Sequence, residues 1–251
     1  MIRARSIVRL LALILATAAV VSAQRGFNNF GRFRYTQNEP PPTEFIFARL
    51  HYGTQYRGGG GWYHDYPTAE EHILQIMKEA SGINVDRMSY RTLELASPEL
   101  FRYPFAYVSE PGEMWLTEQE VVNLREYIDR GGFIMFDDFD ERDRPPSLEI
   151  LRANLKRAFP DREMFRLPLD HPLLHIYYNI DELNVRHPMM PDMEGIFYGF
   201  PDEHGKLCMI ICYNNDVGDF WEWIDNPRYA LKPSAEALRL GVNFVMYAMT
   251  H

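Results

Sequence analysis

Cysteine is scarce in this chain: there are two in 251 residues, Cys208 and Cys212. Both lie in the apolar run 207–213, which reads as a strand. Four residues of strand separate Cα atoms by about 13 Å, and a disulfide tolerates only about 4.4–6.8 Å. A bridge between them is therefore excluded, and both are expected as buried free thiols on one strand face. Long apolar runs are equally rare. The single one, 10–21, follows Arg3, Arg5 and Arg9 and ends in Val21-Ser22-Ala23. It is too short to span a bilayer comfortably, and it has the three regions of a cleavable export signal, cut after Ala23. Basic charge is also lacking. The net charge is −9, and loss of the three signal arginines takes it to −12. So acidic a chain lacks the basic footprint that nucleic acid requires, and an anionic membrane surface is disfavoured for the same reason. Small molecules, cations or another exported or membrane protein remain as partners. The residue directly after the cleavage point is Gln24 and not cysteine, so no lipid anchor is expected, and the location expected is periplasmic or secreted.

What is present is ample core material, with 46% hydrophobic and 14% aromatic residues, which excludes a disordered or collagen-like chain. Residues 24–43 show no period and end in Pro40-Pro41-Pro42, so they read as a leader or linker stiffened by polyproline. Residues 44–251 carry no further linker and no internal repeat, and they fit one domain. Strand and helix signals alternate through it. Strands are expected at 44–52, 105–109, 133–136, 196–200 and 207–213, the last two as a hairpin around Asp202-Glu203-His204-Gly205. A helix is expected to start at Thr68-Ala69-Glu70-Glu71, read as a capping box, and to end at Gly82. A second starts at Leu116-Thr117 with a capping box to Glu120, carries Val121, Leu124 and Ile128 as its core stripe, and ends at Gly131-Gly132. Further helices are expected at 147–159 and from a Ser234 cap to 249. Repeated β-α-β units with short connections predict a three-layer α/β sandwich with a mainly parallel sheet.

In such sheets ligands bind outside the carboxyl ends of the strands, and three segments fall there. The glycine run 58–61 precedes Trp62-Tyr63-His64-Asp65, but no Lys-Ser/Thr follows it and the dinucleotide spacing fails at Tyr63, so a flexible aromatic-tipped loop is the plainer reading. The acidic run Asp137-Asp138-Phe139-Asp140-Glu141-Arg142-Asp143 follows a strand. Crowded carboxylates raise one another's pKa and favour a cation. The alternative is a solvated loop in which Asp137 or Asp138 caps backbone amides. A calcium loop fails, because Arg142 and Asp143 stand where an oxygen ligand and a glycine are needed. Histidine pairs are weak zinc candidates: His171 and His175 are four apart, but Pro172 disturbs a helix and the glutamate base is missing, while His64 and His72 are eight apart across a boundary. No serine has the Gly-x-Ser-x-Gly setting.

The segment from Leu116-Thr117 through Gly131-Gly132-Phe133-Ile134-Met135-Phe136-Asp137-Asp138 resembles the helix–Gly-Gly–strand part of class I glutamine-amidotransferase-like domains. Asp170-His171-Pro172-Leu173, Asp181-Glu182-Leu183, strand 206–213 and 240–248 are similar to the trehalose-utilisation branch of that superfamily. Together with 47–53 and Tyr103-Pro104-Phe105, the chain over 44–251 resembles a secreted bacterial family of unknown function with that fold. The resemblance implies a flavodoxin-like three-layer domain. It also implies a cysteine nucleophile after the paired glycines, and here that place falls at Asp137 or Asp138. The superfamily's late His-x-Glu is missing too, since Pro172-Leu173 follow His171 and Pro188-Met189 follow His187. Thiolate acyl transfer needs a thiol with an adjacent base, so glutamine hydrolysis is not expected. Two functions stay open: a ligand- or protein-binding module without the nucleophile, or a carboxylate- or metal-dependent hydrolase of a carbohydrate or related small substrate. The catalytic candidates are Asp137, Asp138 and His171. Ligand-binding candidates are Gly60, Trp62, Glu110 and Trp115, with Tyr63 and Tyr66 as further aromatics, and a divalent metal ion would fall to Asp138 and Asp140. Asp137, Asp138, Glu110 and the glycine loop are expected to meet at one sheet edge.

Overall fold

Burial on both faces marks the central strands. In the computed structural model, β1 (Phe47–His51), β3 (Phe105–Ser109) and β7 (Leu207–Tyr213) are buried along nearly their whole length. With β2 (Tyr90–Glu94) and β4 (Phe133–Phe139) they form the parallel part of a sheet; β5 (Phe165–Arg166) and β6 (Ile196–Pro201) complete it. The strand order is β2-β1-β3-β4-β7-β6-β5, parallel from β2 to β7 and antiparallel over the last two pairings. Ala48, Ala106, Ile134 and Met209 stand in register across the middle. The structure describes residues 38–55, 60–183, 185–187, 189–190 and 192–251. The segment 1–23 expected as an export signal, most of the expected leader, and Gly58 and Gly59 lie outside the described residues.

Helices cover both faces. On one, α1 (Thr68–Ala80), α4 (Val217–Glu222) and α5 (Leu231–Thr250) bring Ile73, Met77, Trp221, Leu240 and Phe244 against Phe47, Phe105, Tyr107 and Met135. On the other lie α2 (Glu118–Asp129) and α3 (Ser147–Ala158), with Val121, Leu124, Ile128, Leu151 and Leu155 buried. The domain is therefore a three-layer α/β sandwich with a mostly parallel seven-stranded sheet. The capping box of α2 has both halves: Thr117 Oγ1 accepts the Glu120 amide, and Glu120 accepts the Thr117 amide.

Several expectations are corrected. No side chain caps α1; its N-cap is Pro67, and the Asp65 carbonyl accepts the Ala69 amide at 2.9 Å. The carboxylates read as cap members face elsewhere, Glu70 to Arg49 and Glu71 to Arg87. Strand β4 continues three residues past Phe136, with a register irregularity before Phe139. Ser234 lies inside α5, where its hydroxyl donates to the Ala230 carbonyl at 3.0 Å. The edge strand β2 and the one-and-a-half-turn α4 were not expected. Cys208 and Cys212 are free and buried, as their spacing requires.

Candidate functional site

The chain passes from β1 outward to β2 and then returns to β3 on β1's other side. That reversal opens a crevice at the carboxyl ends of these strands, where doubly wound sheets bind ligands. The segments that end there are 60–67 before α1, 110–113 after β3, the end of β4, and 214–222 after β7.

Asp137 is completely buried. Its carboxylate accepts the Tyr107 hydroxyl at 3.0 Å and the amides of Val217 and Gly218 at 3.1 and 2.7 Å. Burial pushes it up to about 7 against the pull of those amides. The expectation that Asp137 caps backbone amides holds, and only its place in a solvated loop is corrected. Asp137 ties β4 to the start of α4, and its oxygens are occupied in doing so.

Asp138 faces the crevice. Its backbone is left-handed, φ 61°, and so are Glu110 (52°), Asp65 (62°) and Asn214 (55°). Asp138 Oδ2 accepts the Ser109 hydroxyl at 3.1 Å and lies 3.3 Å from His64 Nδ1, which is 3.2 Å from Glu110 Oε1. These bonds to Asp138 and Glu110 raise His64 to about 10, so the ring is an imidazolium at neutral pH. Glu110 rises to about 7, chiefly by burial. A Cβ on Gly61 would lie 2.4 Å from Glu110 Cγ, so only glycine lets the loop close over that carboxyl.

Asp65 extends the cluster towards α4. Burial and the Asp138 charge push it up to about 9, and its Oδ2 is buried without a hydrogen-bond partner. Asp216 is buried and pushed well up by desolvation and by Asp138. Asp219 and Glu222 are raised as well, mainly by burial. Three groups of ligating side chains result, each with its atoms within 4.8 Å of one another: His64, Glu110 and Asp138; Asp65, Asp138 and Asp216; Asp65, Asp219 and Glu222.

The loop that delivers His64 and Asp65 is held from beneath. Arg49, 1% exposed on β1, donates to the carbonyls of Trp62 and His64 at 2.8 Å each. Its guanidinium pairs with buried Glu70 and lies 4.6 Å from the Tyr107 ring centroid. Burial opposes its charge, but Glu70 keeps it protonated.

Of the residues expected to act, Asp138 and Glu110 meet. Gly60, with φ +79°, stands beside Thr54 and Glu113 at the loop base. Trp62 is buried, its ring 4.9 Å from that of His51, so it packs beneath the loop. Trp115 is 63% exposed, in a groove of about 1170 Å³ against α3. Asp140 is not in the cluster, because it closes a turn with Arg142, accepting its amide at 2.6 Å and its guanidinium at 3.2 Å. Nor is His171. It caps the short turn Pro172–Leu174, with its ring 6.0 Å from that of Tyr247, which packs on Phe133 where β4 begins, at the opposite sheet edge. His64, Asp65, Asp216, Asp219 and Glu222 were not among the expected site residues. Asp216 and Asp219 follow strand β7 directly, so the strand-end rule that selected Asp138 points to them too.

No curated protein matches this chain. Residues 46–249, almost the whole described domain, match the family described as Domain of unknown function (DUF4159), and the chain belongs to that family.

Proposed function

We propose that this is an exported domain of the class I glutamine-amidotransferase-like type, near the trehalose-utilisation branch, that binds a divalent cation and with it a small polar ligand. The observation that carries this reading is the convergence of three overlapping ligand groups on Asp65 and Asp138. Carboxylates so close together must share protons or a cation, and Asp65 Oδ2 has no hydrogen bond to satisfy it. The carboxylate donors suit magnesium, calcium or manganese, and His64 would have to give up its proton to join them. The parallel sheet with helices on both faces, and the carboxylates at the strand end where the superfamily carries its thiol, support the architecture. Arg3, Arg5, Arg9 and the apolar run support export. Both thiols are buried and shifted up, chiefly by desolvation, which leaves them unsuited to nucleophilic work.

A second reading has its own observation. A carboxyl held near 9, as Asp65 is, stays protonated at neutral pH and suits a general acid in hydrolysis of a glycosidic or related bond. Thermal unfolding after EDTA treatment, with each divalent ion added back, tests the first. At 100 times Kd a bound ion stabilises by about 2.7 kcal/mol, or about 5–11 °C in a domain of this size. Asp138→Asn is expected to abolish the gain. A flat response to calcium, magnesium, manganese and zinc, or an equal response in Asp138→Asn, overturns the cation reading and leaves the acid–base one.

A further inference from the structure

Beside the carboxylate cluster lies a second cavity of about 650 Å³, and its chemistry differs. Its walls include the aromatic side chains of Phe220, Trp223 and Tyr229, and the cationic Arg186, Arg228 and Lys232 beside the carboxylates of Glu182 and Glu236. Trp223 is 44% exposed, and the Phe220 and Tyr229 rings meet edge to face at 5.7 Å.

The cavity and the cluster share a wall. Asp219 belongs to a ligating group of the cluster, and the next residue of α4, Phe220, lines the cavity. The Tyr229 hydroxyl donates to Asp219 Oδ2 at 2.6 Å, joining the two directly. Tyr229 and Trp223, whose indole bonds Asp219 and Glu222, are thus the side chains that stand between the cavity and the carboxylates.

The charge on the far side selects its other end. Lys232 pairs with Glu182 at 2.7 Å, but both are largely exposed, so that pair is weak and exchangeable. Arg228 is exposed and forms no ion pair among the described residues. A guanidinium fork binds carboxylate or phosphate oxygens in two parallel hydrogen bonds, and a half-exposed indole offers a flat face to the apolar side of a sugar ring.

We infer that this cavity takes an anionic saccharide, its ring on Trp223 and its acidic group on Arg228, with the opposite end on Tyr229, which adjoins the carboxylate cluster. The inference rests on the cluster being a binding site, as proposed above, and it adds the class of ligand.

Calorimetric titration of the mature protein with tetragalacturonic acid, glucose 6-phosphate and maltotetraose, each with magnesium and with EDTA, tests it. At least one of the two acidic sugars is expected to bind at least tenfold more tightly than neutral maltotetraose, and which one binds distinguishes carboxylate from phosphate. Arg228→Gln, at an exposed position, is expected to weaken that binding at least tenfold with the melting temperature unchanged, and Trp223→Ala, whose indole also bonds Asp219 and Glu222, to weaken it at least tenfold with a lower one. Equal affinity for the neutral sugar, no binding of either acidic one, or an unaltered affinity in Arg228→Gln overturns the inference. The two readings separate cleanly. Cation stabilisation without sugar binding leaves the cluster proposal standing alone. Sugar binding unaffected by EDTA, without cation stabilisation, does the reverse.

Discussion

Glu70→Gln removes one charge and almost no volume from the least exposed ion pair among the described residues. Arg49 is 1% exposed and Glu70 not at all, so water cannot replace the lost carboxylate. The guanidinium would keep the carbonyls of Trp62 and His64 and the face of Tyr107. Those are dipoles and a quadrupole, and none is a counter-charge. Removing one partner of a buried pair costs about 3–5 kcal/mol, which in a domain of this size lowers the melting temperature by about 6–20 °C. Urea unfolding followed by tryptophan fluorescence should show a lower midpoint with an unchanged slope. The double variant Arg49→Met/Glu70→Leu separates stability from positioning. It leaves no buried charge, and an apolar replacement of a buried pair is often neutral, so it should regain much of the loss. It should nevertheless lose the response to divalent ions, because nothing then holds the carbonyls that aim His64 and Asp65. A Glu70→Gln protein within about 0.5 kcal/mol of the parent, the range of an ordinary surface substitution, would refute the reasoning.

In EDTA the protein should become less stable as pH rises from about 5 to 8. Asp65 at about 9, Glu110 and Asp137 at about 7, and His64 at about 10 all bind protons more tightly folded than unfolded, so the unfolded state gains on the alkaline side. Each net proton is worth about 1.4 kcal/mol per pH unit, and a melting temperature that is flat or rises over that window contradicts the assignment. Cys208 and Cys212 should resist a thiol reagent in the native protein and give two free thiols after denaturation without reductant; a disulfide found by mass would contradict their place on β7. Gly61→Ala should displace Glu110, whose Cγ lies 2.4 Å from the new methyl, at about 1–3 kcal/mol. It should also weaken the divalent-ion midpoint at least tenfold, and an unchanged midpoint would remove Glu110 from the site.

Local signals were legible. The Thr117–Glu120 capping box lies within four residues, and strand β3 runs from Phe105 to Ser109 as its apolar block reads. The Thr68 box failed because the helix is entered one residue earlier, at Pro67, and Glu71, the carboxylate such a box needs, pairs with Arg87. The end of β4 was misread because two adjacent aspartates look like a solvated loop. Asp137 is buried only because amides 80 and 81 residues later reach it. Strand-end logic brought Glu110 to Asp138, yet His64 joins them through a left-handed turn at Asp65 that no side-chain pattern encodes.

Those left-handed turns bear on why the edge exists at all. Among the described residues four that are not glycine have positive φ: Asp65, Glu110, Asp138 and Asn214. Asn214 is compensated, since its amide group bonds the Glu141 amide and the Glu194 carbonyl. Asp65 and Asp138 have short polar side chains that tolerate this conformation better than most, whereas Glu110 does not relax into it and adds about 1–2 kcal/mol of backbone strain. They are also the groups whose side chains crowd together in the crevice. Left-handed backbone and crowded carboxylates thus fall on the same three positions, when glycine at any of them would relieve both. A sheet selected for stability alone would shed them. Holding acidic side chains in strained turns at the carboxyl edge is the pattern expected where binding, rather than folding, sets the residue.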